Sequence, residues 1–172
     1  NRYRGIEHED EMVGLFYHCI YDLDSRAPSI DTPLHGLLPF NHIDHLHPDA
    51  LIAIAAAEDS RAITQEIWGE SMGWVPWQRP GFDLGLALEK CVNDNPGIRG
   101  IVLGGHGLFT WGETSYECYV NSLEVIEQAS VYIEERLGKR GPVFGGGKVK
   151  SLEESDRRRQ AAQMAPILRG LC

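Results

Sequence analysis

The stretch that most limits how this chain can fold is "IRGIVLGGHGLFTWG", residues 98–112. Two apolar runs, each too short for a helix, flank a glycine-rich turn, so "IRGIVLGG" and "HGLFTWG" each read as a strand, the first of them buried. The segment that follows, "TSYECYVNSLEVIEQASVYIEERLG", reads as one long amphipathic helix. Thr114 is its expected N-cap and Gly138 its expected stop. Tyr116, Tyr119, Val120, Leu123, Ile126 and Val131 form its expected apolar stripe. Strands and helices in one chain of 172 residues imply an α/β or α+β domain around a single core.

The remaining segments fit that frame. "EHEDEMVGLFYHCIYDL" (7–23) has apolar residues at helical spacing, namely Met12, Leu15, Phe16, Cys19 and Ile20. Pro28, Pro33 and Pro39 then exclude a long regular element. "NHIDHLHP" (41–48) suits a short strand, because Pro48 disfavours helical geometry at His47. "PDALIAIAAAEDS" and "SRAITQEIWG" read as two helices, the second with Ser60 as N-cap. "GWVPWQRPG" is extended, and the helix of "GFDLGLALEKCVNDNPG" ends at Asn95, Pro96 and Gly97. Trp74 and Trp77 read as core packing. "KRGPVFGGGKVK" reads as a connector, since its Gly145–Gly147 and Lys148 lack the strand and the Ser or Thr of a phosphate loop. The last segment is a polar helix with a thin apolar edge. The expected division is therefore 1–138 for the domain and 139–172 for a linker and peripheral helix.

Composition narrows the class of function. A formal net charge of -9 disfavours a nucleic-acid or anionic-membrane partner, and no apolar run reaches membrane-spanning length. Cys19, Cys91, Cys118 and Cys172 show no paired spacing and read as reduced thiols of a cytoplasmic protein.

The chemistry concentrates in histidines. Along a strand side chains alternate, so His45 and His47 share a face and His42 lies on the other. Two imidazoles at this spacing suit one zinc ion, with nitrogens at roughly 2.0–2.1 Å. A catalytic zinc takes a third protein ligand, and His106, between glycines at a strand end, is the best candidate. His8, His18, His35 and His42 read as ordinary surface or core histidines, His35 with the weakest case for it. Metal-assisted carbon chemistry also needs an acid or base near the ion. Asp31, in a proline-bracketed loop, is the candidate for that role, although its spacing alone favours a turn or helix-cap aspartate.

"SIDTPLH", "HLHP", "PWQRPG" and "LGGHGLFTWG", in this order, resemble the class II aldolase/adducin family. The resemblance is closest to the aldolase part of bifunctional rhamnulose-1-phosphate aldolase/alcohol dehydrogenase proteins and runs from about Arg4 to the tail. It implies a three-layer α/β/α sandwich on a central, mainly antiparallel sheet, assembled as a homotetramer. It implies zinc on His45, His47 and His106, acid/base chemistry at Asp31, where many relatives carry glutamate, and phosphate binding at Ser29. The implied reaction is zinc-dependent aldol cleavage of a sugar phosphate, L-rhamnulose 1-phosphate, to dihydroxyacetone phosphate and L-lactaldehyde. The family also contains 4-epimerases, dehydratases and non-catalytic adducin-like modules. Relatives carry an N-terminal phosphate-loop segment ahead of the point where this sequence starts. No G-x-G-x-x-G follows a strand, so no dinucleotide site is expected.

Overall fold

The computed structural model describes residues 3–140 and 149–171. The connector glycines and Lys148 lie outside the described residues, as does Cys172. The chain forms two compact units, Asn1–Glu135 and Arg136–Cys172.

The first unit is built on a four-stranded sheet in the order β1-β4-β3-β2. Its strands are β1 (His42–Leu46), β2 (Gly73–Val75), β3 (Gly100–Leu103) and β4 (Gly107–Gly112). β4 pairs antiparallel with both β1 and β3, and β2 joins β3 in parallel. The sheet is thus mainly antiparallel. β3 is buried along its whole length, which is why "GIVL" shows no polar alternation.

Helices cover both faces of the sheet. α2 (Thr32–Gly36) and α5 (Phe82–Asp94) pack on the face of Ile101, Leu103, Phe109 and Trp111. α3 (Asp49–Ala55), α4 (Ser60–Trp68) and α6 (Ser115–Arg140) present Leu51, Ile54, Trp68, Val125 and Ala129 to Val102 and Leu108 on the other. The result is the expected α/β/α sandwich. Each fully buried Leu, Ile or Phe in these two layers contributes about 1.5–3 kcal/mol.

Several local expectations are corrected. The N-terminal helix is a single seven-residue α1 (Glu9–Leu15) flanked by 3-10 turns, and it buries no apolar stripe. Its one buried residue is Glu9, whose carboxylate accepts the Phe82 N–H and, at 3.4 Å, the Asp83 N–H at the start of α5. Negative charge at a helix N-terminus complements the helix dipole, which explains a buried carboxylate there. Ser60 lies inside α4 and not at its cap; its hydroxyl accepts the Trp74 indole N–H at 3.0 Å. Trp74 is half-buried beside the second layer, whereas Trp77 is 68% exposed and does not join the core.

α6 begins as expected. Thr114 Oγ1 accepts the Glu117 N–H at 3.2 Å, and Glu117 Oε2 accepts the Thr114 N–H at 3.0 Å, a reciprocal capping box. It then runs through Gly138 to Arg140, since nothing crowds Gly138 in a helical conformation. Its buried face is Cys118, Ser122, Val125 and Ala129, and the larger Tyr116, Tyr119, Leu123 and Val131 are exposed. The second unit contains α7 (Glu154–Leu171), an exposed helix whose apolar residues include Met164, Ile167, Leu168 and Leu171. No helix among the described residues is long and apolar enough to cross a membrane.

Candidate metal centre

Register decides which face carries His45. Because His45 pairs with Phe109, both side chains lie on the same side of the sheet, beneath α2 and α5. The rings stack at 4.2 Å between centroids and 11° between planes. Asp44 accordingly points to the opposite face, where its carboxylate accepts the Ser122 hydroxyl at 2.9 Å. The second histidine, His47, sits one residue past the end of β1.

His106 arrives from a tight turn. The His106 N–H donates to the Leu103 carbonyl at 3.0 Å, and Gly105 takes φ +67, a conformation that glycine adopts without strain. Two further bonds fix this turn: the Gly104 N–H reaches Val75 O at 2.8 Å and the Gly105 N–H reaches Ala55 O at 2.7 Å. The turn is therefore tied to β2 and to the last residue of α3.

One ligand atom from each of His45, His47 and His106 lies within 4.8 Å of the other two. Ring centroids are 4.5 Å apart for His45 and His47, 5.0 Å for His45 and His106, and 5.1 Å for His47 and His106. His45 Nδ1 donates to the Leu108 carbonyl at 3.0 Å, which fixes the tautomer and leaves the Nε2 lone pair facing the cluster. His45 Nε2 and His106 Nδ1 are buried with no hydrogen-bond partner. Burial, and secondarily the charge of neighbouring imidazoles, holds the pKa of His45 below the ordinary histidine value, and the same causes lower His106. Both are thereby kept neutral, the form that coordinates metal. Three imidazoles, two of them with orphaned buried nitrogens, fit a tetrahedral divalent ion with one open position.

Asp31 stands across a cavity of about 480 Å³ lined by Ser29, Asp31, Thr32, His35 and His45. Its charge acts on both His45 and His106, opposing the depression of their pKa values. Ser29 holds it in place: the Asp31 N–H donates to Ser29 Oγ at 3.1 Å, and Ser29 Oγ donates to Asp31 Oδ2 at 3.2 Å. Asp31 also precedes the first residue of α2, so the helix-cap position and the cavity position coincide. It lies outside the three-histidine cluster. Two contributors were not legible in the sequence. Phe109 supplies the platform under His45, and His35 joins the cavity lining. Only the β1–β4 register and the placement of α2 reveal them.

Residues 6–133 match the model for the class II aldolase and adducin N-terminal domain. The chain belongs to this family. A curated relative, "Uncharacterized oxidoreductase YuxG" of Bacillus subtilis (strain 168), is 40% identical over 162 residues. The match covers 94% of this chain and 23% of that protein, so the chain spans about a quarter of the relative's length. The N-terminal class II aldolase domain of a conserved protein from Thermoplasma acidophilum superposes with a TM-score of 0.65 at 30% identity. That match covers 73% of this chain and 57% of the other. A sugar-phosphate aldolase from Thermotoga maritima shares the fold at a TM-score of 0.51 and 19% identity, over 69% of this chain and 57% of that one.

Proposed function

We propose that this class II aldolase-family domain is a metal-dependent aldehyde-lyase that cleaves a ketose 1-phosphate. The observation that carries the reading is the cluster of His45, His47 and His106, one of which, His45, shares a cavity with Asp31. When bound, a divalent ion supplies a Lewis acid for the negative charge that gathers on the substrate's carbonyl side as the carbon–carbon bond breaks. Zinc suits three imidazoles, and cobalt or manganese are accepted by the same donor set.

The chain's own groups do the rest. In condensation the Asp31 carboxylate takes a proton from the dihydroxyacetone carbon, and in cleavage the same group, as the carboxylic acid, returns it there while the hydroxyl proton of the departing aldehyde passes to water. Its oxygens accept, and the Ser29 hydroxyl on Oδ2 limits which one faces the substrate. Ser29 is exposed at the cavity rim, where a phosphate would find a hydroxyl and the solvated edge of the site. L-Rhamnulose 1-phosphate is the proposed substrate, with dihydroxyacetone phosphate and L-lactaldehyde as products. A homotetramer in the cytoplasm is the proposed setting.

The deciding experiment measures L-lactaldehyde release from L-rhamnulose 1-phosphate by the metal-loaded protein and by Asp31→Asn. Turnover in the wild type, at least about a hundredfold lower in the variant at equal metal content, is expected of a general acid–base residue. Equal turnover in the two removes Asp31 from the chemistry. Metal binding without lactaldehyde, but with 4-epimerised or dehydrated product, reassigns the reaction within the family. Neither metal nor turnover leaves a non-catalytic assembly module.

A further inference from the structure

His35 carries none of the roles assigned above, yet the fold builds it into the site. α2 is a single short turn of helix, and His35 follows Asp31 by four residues, so the two share a face. Both line the cavity that also contains His45. The His35 ring lies 5.5 Å from the Phe109 ring at 56°, while His45 stacks on that same ring. Phe109 is fully buried in β4, so one rigid aromatic side chain holds both imidazoles in register. His35 is not part of the metal-binding cluster.

Its ring nitrogens are uncommitted: among the described residues, no hydrogen bond to His35 is formed, although the neighbouring Thr32 hydroxyl is occupied by the Ser29 carbonyl at 2.6 Å. Core packing by α2 is done by Pro33 and Leu34, both buried, and does not need His35, which is exposed to the cavity. A neutral imidazole presents one donor and one acceptor, whereas the Asp31 carboxylate only accepts. Side by side on one helical face, they offer the pattern that matches two adjacent oxygens of a hydroxycarbonyl compound.

We infer that His35 is a substrate-binding residue that hydrogen-bonds the hydroxycarbonyl end of the ligand beside Asp31. The inference rests on the reading of the site as one for hydroxylated carbonyl substrates. It assigns a fixed recognition group beside the histidine cluster, one that selects for polarity there and leaves metal binding alone.

The test compares metal-loaded wild type with His35→Phe, which keeps a ring against Phe109, and His35→Asn, which restores a donor and an acceptor. Binding of dihydroxyacetone phosphate, dihydroxyacetone and inorganic phosphate is measured by calorimetry, alongside metal content, melting temperature and the kcat and KM of cleavage. In the Phe variant, dihydroxyacetone phosphate binding and KM should each weaken by about tenfold or more, with metal and melting unchanged. The Asn variant should recover part of the loss, and inorganic phosphate should bind all three alike. Wild-type affinity in the Phe variant overturns the inference, as does a loss explained by lost metal or lower melting temperature. His35-dependent binding without any cleavage overturns the aldolase reading and leaves the inference standing. A wild type that binds neither ketone overturns both.

Discussion

Gly107 offers a way to disturb the candidate metal centre without touching any of its three histidines. It opens β4 directly beside His47, and a Cβ placed on it would stand 2.8 Å from both His47 Cδ2 and the Leu46 carbonyl oxygen. Ordinary contact begins near 3.4 Å, so a Gly107→Ala side chain needs about 0.6 Å of extra room. The Leu46 oxygen is backbone at the end of a paired strand and yields little. His47 is the softer neighbour, and the displacement falls on its ring. Overpacking of this kind costs about 1–3 kcal/mol. For a chain of this size that lowers the melting temperature by about 2–12 °C. A ligand moved by several tenths of an ångström should also lose metal affinity, by about 10–100-fold if the effect equals that of removing an outer-shell partner. The assay is a chelator competition with zinc or cobalt, paired with calorimetric melting of the metal-free protein. Gly138→Ala is the matched control. It meets nothing within 4 Å and lies inside a helix, so it should stabilise by about 0.5–1 kcal/mol and leave metal affinity alone. Unchanged metal affinity and melting in Gly107→Ala would refute the packing of β4 against His47, and with it the geometry of the cluster.

Two other predictions follow from the same structure. Burial lowers the pKa values of His45 and His106, so between the unfolded value near 6.5 and the lower folded values the unfolded chain binds more protons. Stability of the metal-free protein should therefore be full above about pH 6.5 and fall as pH drops through the folded pKa values. Urea titrations from about pH 7.5 to pH 5 should show this slope, and it should flatten in His45→Phe. Thr114→Ala removes half of the capping box on α6 and should cost about 0.5–2 kcal/mol by thermal or urea melting, with no change in metal binding.

The candidate metal ligands were legible in the sequence because each depends on local geometry. His45 and His47 share a face in any extended chain, and a histidine between glycines after an apolar strand sits in a turn. The capping box on α6 was equally local. Phe109 and His35 were not legible, since their part in the site depends on which residue of β4 pairs with His45 and where α2 lies, and spacing encodes neither.

The long helix marks the boundary most clearly. Of the stripe expected along "TSYECYVNSLEVIEQASVYIEERLG", Val120 and Ile126 are half-buried and Ile126 packs on the core, yet Tyr116, Tyr119, Leu123 and Val131 are exposed. The helix instead turns Cys118, Ser122, Val125 and Ala129 inward. Its first turn lies close against β4, where a Cβ on Gly112 would meet the Cys118 nitrogen at 2.5 Å, and only small side chains fit such an approach. The hydrogen bonds of Ser122 to Thr110, at 2.6 Å, and to Asp44 then lock that face against the sheet. Burial among these groups pushes the Cys118 thiol up to about 11, so it stays protonated and inert.

The sequence by itself determined the strands, most of the helices and the residue types that can hold a metal, because propensity, capping and strand alternation act over a few residues. Only the tertiary structure decided which helix face is buried and which strand neighbours which. It alone brought the Asp31–His35 turn onto one cavity with His45, and His106 to within 4.8 Å of His45 and His47, because strand register and close packing are set by contacts that no local pattern contains.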